Sequence, residues 1–335
     1  MQLQARYNAI DVTKLFMAFL VIGIHVRAIF EVDYPDILDF TVGTAVPFFF
    51  VCSGFFLQNK IIRSADEYHA LRSAFVKYLK LYVIWHIIYL PVDLYYSWTN
   101  DRSFLGDITY LLRTFLFVGE TNFSWPLWYI HGLLVAVLFI YLLRKAKAPL
   151  PAVWLISLAM MLIGYFINYV MTHDTDTVVR PFCMETADLL GSADRNGPFR
   201  GFALVATGMV IRQYYQKIGH ELATGVLCIV ISYMLTVHNL PFPLLFAGSG
   251  LFIMVASIHV KDRPLYTAYR THSTFIYFIH MYILIPAHTL LQSHVSHLWH
   301  AYVVWTLTFF VCWCLACIYD RIRRNERYKW LNHLT

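Results

Sequence analysis

The sequence predicts an all-α, polytopic membrane protein with about ten transmembrane helices and both termini in the cytoplasm. Three observations carry that prediction. Of 335 residues 59% are hydrophobic and only 14% charged, where soluble domains carry about 25% charged residues; the mean hydropathy is +0.55. The apolar residues gather in runs of about 20, the length that crosses roughly 30 Å of hydrocarbon. The basic residues fall mostly between alternate runs. Together these exclude a soluble enzyme, a nucleic-acid-binding domain and a disordered chain.

The runs follow in order. The first span is expected at 12–31. It begins with Asp11 and Lys14 beside it and ends in Arg27, Glu31 and Asp33, so it does not read as a cleavable signal. The second lies at 41–58, and the charged, amphipathic stretch 59–78 after it reads as interfacial. The third, 79–98, is followed by a second interfacial stretch at 103–118. Spans at 126–143 and 151–170 come next. The polar connection 171–198 is the longest on the outer side and suits a lid or an acceptor-side surface. The remaining spans are 199–216, 221–238, 241–260, 272–291 and 300–319. All are helical, because an open sheet edge is not tolerated in lipid. With no repeat and no soluble segment legible, residues 1–335 read as one membrane-embedded domain.

Orientation follows from charge. Arg6, Lys14, Lys60, Arg63, Arg72, Lys77, Lys80, Arg144, Lys145, Lys147, Arg212, Lys217, Lys261, Arg263 and Arg270 fall on one side. So do Arg321, Arg323, Arg324, Arg327 and Lys329, giving 20 of the 26 basic residues. The positive-inside rule places that side in the cytoplasm. The net charge of +6 is therefore a topology signal. Five of the six cysteines lie in apolar runs and Cys183 in a polar stretch, which is no disulfide framework. His294, His297 and His300 have no acidic companion and read as a solvated interfacial cluster rather than a zinc site.

An ionisable group inside a span is costly and is by default a functional candidate. His25 follows Lys14 by eleven residues, about 16 Å along a helix and past the bilayer midpoint. A neutral imidazole there can both take and give a proton. A core histidine bonded to a neighbouring helix is the equal alternative. His280, about ten residues into its span, lies at similar depth, so the two histidines suit the lining of one tunnel; a bond from His280 to a backbone carbonyl is as good a reading. Lys77 and Lys80 sit one turn apart at the cytoplasmic boundary near Arg72, where they suit phosphate contacts, although basic residues belong at that boundary in any case.

Asp11-Val-Thr-Lys14, ten further residues and His25 resemble the signature of the acyltransferase-3 family of multi-pass membrane acyltransferases. So does Val46-Pro-Phe-Phe-Phe-Val-Cys-Ser53-Gly54 in the second span. Lys77-x-x-Lys80, Trp125-Pro-Leu-Trp128-Tyr129, Asp194-Arg195-Asn196-Gly197 and Tyr277-Phe-Ile-His280 follow in matching order. Lys14 stands where the family more often has Arg, keeping the charge and losing the bidentate fork.

The resemblance implies transfer of an acyl group, in the first instance acetyl, from cytoplasmic acyl-CoA to a hydroxyl of a surface polysaccharide or lipid-linked glycan. It implies a bacterial cytoplasmic (inner) membrane, the bilayer and a glycan acceptor as partners, and is compatible with a homo-oligomer; no nucleic acid and no metal are expected. It makes His25, Lys14 and His280 catalytic candidates and Lys77, Lys80 and Arg72 contacts for acyl-CoA. Asp11, Ser53, Trp128, Arg195 and Asn196 become substrate-binding candidates. Ser53-Gly54 also reads as a helix-packing pair, and Trp125, Trp128 and Tyr129 as an interfacial aromatic belt that could stack on a sugar. The alternative function is transport of a small polar solute such as an amino acid through the same intramembrane polar residues, against which stands the lack of an inverted repeat.

Overall fold

A computed structural model describes residues 7–99, 104–173, 177–191, 197–291 and 298–335. Among the described residues the only regular structure is helical. The helices are α1 (Asn8–Phe30), α2 (Asp36–Gly43), α3 (Ala45–Arg63), α4 (Glu67–Thr99), α5 (Phe104–Arg113), α6 (Leu127–Lys145), α7 (Leu150–Thr172), α8 (Arg180–Leu190), α9 (Phe202–Tyr214), α10 (Glu221–Val237), α11 (Pro243–Ala256), α12 (Pro264–Leu291) and α13 (Leu298–Ile322).

Seven described helical segments are long and apolar enough to cross a membrane, with α2 and α3 counted together as one, Asp36–Arg63. All ten expected runs coincide with helices, but three fall short of spanning length. α9, α10 and α11 have 13, 17 and 14 residues, and 14 residues rise only about 21 Å. α9 is flanked by a π turn, Gly197–Gly201, and a 3-10 turn, Tyr215–Lys217. α10 and α11 are cut short where Asn239 and Phe242 take positive φ (52° and 74°). The stretch 59–78 is not a separate interfacial segment. It is the end of α3 and the start of α4, broken only at 64–66, where the Asp66 carboxylate accepts the Tyr68 N–H at 2.8 Å and caps α4.

The chain divides into two compact units. The first is Met1–Phe49, Ile218–His238 and Phe242–Thr335; the second is Phe50–Lys217 and Asn239–Pro241. In the first, α1 packs against α12 and α13, and α10 pairs with α11. The Trp305 indole lies over α1, donating to the Phe19 carbonyl at 2.6 Å, and occupies the space a side chain at Gly23 would fill. Tyr34 closes the turn after α1 by donating to the Gly23 carbonyl at 2.9 Å. Burial pushes the Tyr34 phenol well above its usual value, so it stays a donor.

In the second unit α6 is central, packed against α4 and α9. Gly54 on α3 and Gly208 on α9 let two backbones meet: a Cβ at Gly54 would collide with the Val205 carbonyl, and one at Gly208 with the Val51 carbonyl. The packing role expected of Ser53-Gly54 thus falls to the glycine. Arg144 at the end of α6 grips Glu67 at the start of α4 through two bonds, 2.6 and 2.8 Å. The connection read as a lid carries α8, docked through buried Cys183 onto Ile167, Val170 and Phe199.

Candidate functional site

Within the first unit α1 and α12 run side by side in the same direction, as their contacts show in sequence order. Near the start of α1, Asn8 donates to the Val260 carbonyl at 3.2 Å. Asp11 meets Arg270 next, at 3.0 and 2.6 Å through both carboxylate oxygens. His25 then stacks on His280, with ring centroids 5.0 Å apart and planes at 29°. Finally Phe30 meets His288 edge to face at 5.0 Å. The Asp11–Arg270 clamp holds the two helices in the register that puts the histidines opposite one another.

The imidazole pair is buried, His25 at 8% exposure and His280 at 0%. His280 Nδ1 lies 3.2 Å from the Ile276 carbonyl oxygen. A carbonyl only accepts, so in the neutral ring the proton sits on Nδ1 and Nε2 carries the lone pair. That Nε2 is buried with no hydrogen-bond partner. Leaving such an atom unmet costs about 1–3 kcal/mol, so it is rarely left that way without a purpose. The seam therefore presents a buried lone-pair nitrogen beside a second imidazole, an arrangement that can take a proton or an acyl group. His280 thus bonds a carbonyl through Nδ1, as one sequence reading had it, and its ring stacks on His25.

Lys14 is half-buried on α1. Eleven residues at about 100° each return to within roughly 20° of the starting direction, so Lys14 and His25 share one face three turns apart. Asp11, expected as a substrate contact, has both oxygens committed to Arg270 and is 4% exposed. Those bonds tie α1 to α12.

The other expected residues belong to the second unit. Arg72, Lys77 and Lys80 are exposed on α4. Ser53 bonds the Tyr129 hydroxyl at 2.9 Å and is also reached by Tyr78. Trp128 and Tyr129, read as a belt or sugar platform, are instead buried at 8% and 9% exposure and pack on Phe50, at 5.7 and 4.7 Å. They open α6, and the first turn of that helix faces protein. Arg195 and Asn196 lie outside the described residues, as do His294 and His297. Among the described residues no group of three His, Cys, Asp or Glu is placed to hold a metal.

Several groups were not singled out by the sequence reading or were left without a place. His272, two turns before His280 on α12, is 6% exposed with both ring nitrogens unpartnered. Asp93, 3% exposed, accepts the Thr121 hydroxyl and, at 3.0 Å, the Phe123 N–H. It anchors the loop before α6. His86 and His131 flank Tyr82, their ring centroids 4.2 and 5.8 Å from it. A histidine at a span's centre is visible in sequence, but its neighbour on another helix is not.

The acyltransferase domain of the acyltransferase-3 family matches residues 7–318. An amino-acid racemase of Enterococcus faecalis is 27% identical over 164 residues, 48% of this chain and 22% of that protein. A serine/alanine racemase of Enterococcus gallinarum is 23% identical over 348 aligned positions, 97% of this chain and 47% of that protein. The chain thus spans half or less of the curated relatives it matches. No solved structure matches.

Proposed function

Since this chain belongs to the acyltransferase-3 family and carries membrane-length apolar helices, we propose that it moves an acyl group, in the first instance acetyl, from cytoplasmic acyl-CoA to a hydroxyl of a surface polysaccharide or lipid-linked glycan. The buried, stacked pair His25–His280, with its unpartnered Nε2, is the observation that carries this reading. In the reaction the acceptor O–H and the thioester C–S bonds break and an ester C–O bond forms. The hydroxyl proton passes through an imidazole and ends on the CoA sulfur. One ring takes the proton or the acyl group while the other faces it. Lys14, on the same helical face, supplies positive charge. Exposed Lys77 and Lys80 on α4, with Arg72, supply phosphate contacts for CoA. The bias of basic residues supports a cytoplasmic-membrane location with both termini inside.

The test is radiolabelled acetyl-CoA with the purified protein and candidate glycans. Label is expected on the glycan, and Lys77→Ala with Lys80→Ala should raise the acetyl-CoA concentration needed. Label that never leaves CoA in the presence of any glycan overturns the reading.

The racemase relatives favour a second reading, a membrane module that carries a small amino acid. Uptake of labelled serine or alanine into liposomes holding the protein, without acyl transfer, is its signature.

A further inference from the structure

Residues 114–126 join α5 to α6, and buried polar groups of the second unit shape them. A π turn, Thr114–Val118, ends at Gly119, whose φ of 90° excludes most side chains. The Asp93 carboxylate then fixes Thr121 and Phe123, and Ser124, 0% exposed, accepts the Thr121 N–H at 2.8 Å. The loop so held forms one wall of a cavity of about 490 Å³, within the size range of small-molecule sites.

Four aromatic rings line it, Tyr96, Tyr110, Phe123 and Trp125, together with Arg113, Glu120 and Asn122. Tyr96 and Phe123 meet edge to face at 5.2 Å. Tyr110 donates its hydroxyl to Asn122 Oδ1 at 3.1 Å, which fixes the amide and leaves its Nδ2 buried with no partner. A fixed N–H donor and a carboxylate among several ring faces match a ligand with a broad C–H face edged by hydroxyls.

We propose that this cavity binds a sugar ring. The ring's C–H face lies against the aromatic side chains, the Asn122 amide donates to one hydroxyl, and Glu120 accepts from another. Arg113 and Glu120 could meet the two charges of serine or alanine, but so small a ligand would leave the four rings almost uncovered, whereas a sugar ring covers them. The inference rests on the acyl-transfer reading only for why a sugar would be a ligand of this chain; binding itself requires no transfer.

Saturation-transfer NMR tests it, with the full chain in lipid nanodiscs free of alkyl-glycoside detergent and with no acyl donor present. The probes are methyl β-glucopyranoside, N-acetylglucosamine and L-serine. Saturation is expected on ring protons of at least one sugar, reduced at least threefold by Asn122→Ala and abolished by Trp125→Ala. Thermal melting checks that the variants fold; if Trp125→Ala does not, Tyr96→Ala, at a 37% exposed position, takes its place. No saturation on either sugar, equal saturation in the pocket variants, or saturation of L-serine alone overturns the proposal. Acetyl transfer that persists when sugar saturation is absent sinks only the pocket, and sugar saturation without transfer sinks only the proposed reaction.

Discussion

The α1–α12 seam of the first unit and the α4–α6 region of the second both bury histidines and a carboxylate, and they use them differently. In α4–α6 each histidine, like His280, has one ring nitrogen on a backbone carbonyl and the other buried without a partner, and the carboxylate holds a loop. His86 Nδ1 lies 3.1 Å from the Tyr82 carbonyl, His131 Nε2 lies 3.0 Å from the Leu116 carbonyl, and Asp93 anchors the loop at Thr121 and Phe123. A tyrosine ring stands between the two histidines. In α1–α12 the carboxylate is spent on an arginine at one end, and further along two imidazoles face each other directly. The rule that an intramembrane ionisable residue is functional thus divides in two. In α4–α6 the ring beside each imidazole is a tyrosine, a far weaker base, and in the seam it is a second imidazole, the pair that the proposed transfer uses.

The largest expected effect separates the two kinds. His25→Gln and His280→Gln each remove an imidazole and keep a polar side chain, and each should lower acetyl transfer about 10²–10⁴-fold while the melting temperature stays near that of the parent. His86→Gln should do the reverse, with little change in rate per folded molecule. An active His280→Gln protein would place that ring with the fold-shaping groups and erase the distinction. Next comes the packing on which the second unit depends. Gly54→Ala forces a methyl group into the Val205 carbonyl and should destabilise by about 1–3 kcal/mol, read from thermal unfolding. Asp93→Asn should cost about 1–3 kcal/mol, because Thr121 and Phe123 bond different carboxylate oxygens and the amide turns its NH2 toward one of them. Its rate per folded molecule should hold within a few-fold.

The same contrast explains what the sequence made legible. The ten runs, the all-helical class, His25 and His280 followed from hydropathy, run length and the cost of charge in lipid, all properties of one helix at a time. Facts that depend on which helix lies beside which did not follow. The pairing of Asp11 with Arg270, 259 residues away in the chain, could not be read from either helix alone. Trp128 and Tyr129 looked like an interfacial belt because the sequence cannot show Phe50 packed against both. Three runs looked long enough to span until positive-φ residues and irregular turns shortened their α-helices. The cavity beside Trp125 was hidden because its rings come from three separate stretches joined only by the loop's shape.

The smallest expected effect tests whether the seam's carboxylate is a fastener or a part of the reaction. Asp11→Asn keeps the shape and one acceptor oxygen but loses the charge that meets Arg270. Arg270 is 62% exposed at its side chain, so water screens the pair and the lost stability should be about 1 kcal/mol or less. Its two bonds to Arg270 lie toward one end of the seam and the stacked imidazoles further along, so its influence on them is expected through helix register. A shift of α1 against α12 would separate the stacked rings, and the rate should fall up to about tenfold, in line with a coupling of roughly 1 kcal/mol, with the apparent KM for acetyl-CoA unchanged. Asp11→Glu restores the charge and, at the cost of one methylene, the bond to Arg270, and should recover most of the rate. If Asp11→Asn raises KM in proportion to its loss of rate, and Asp11→Glu does not rescue it, the carboxylate is a substrate contact after all, and the seam then holds no purely structural charge to set against Asp93.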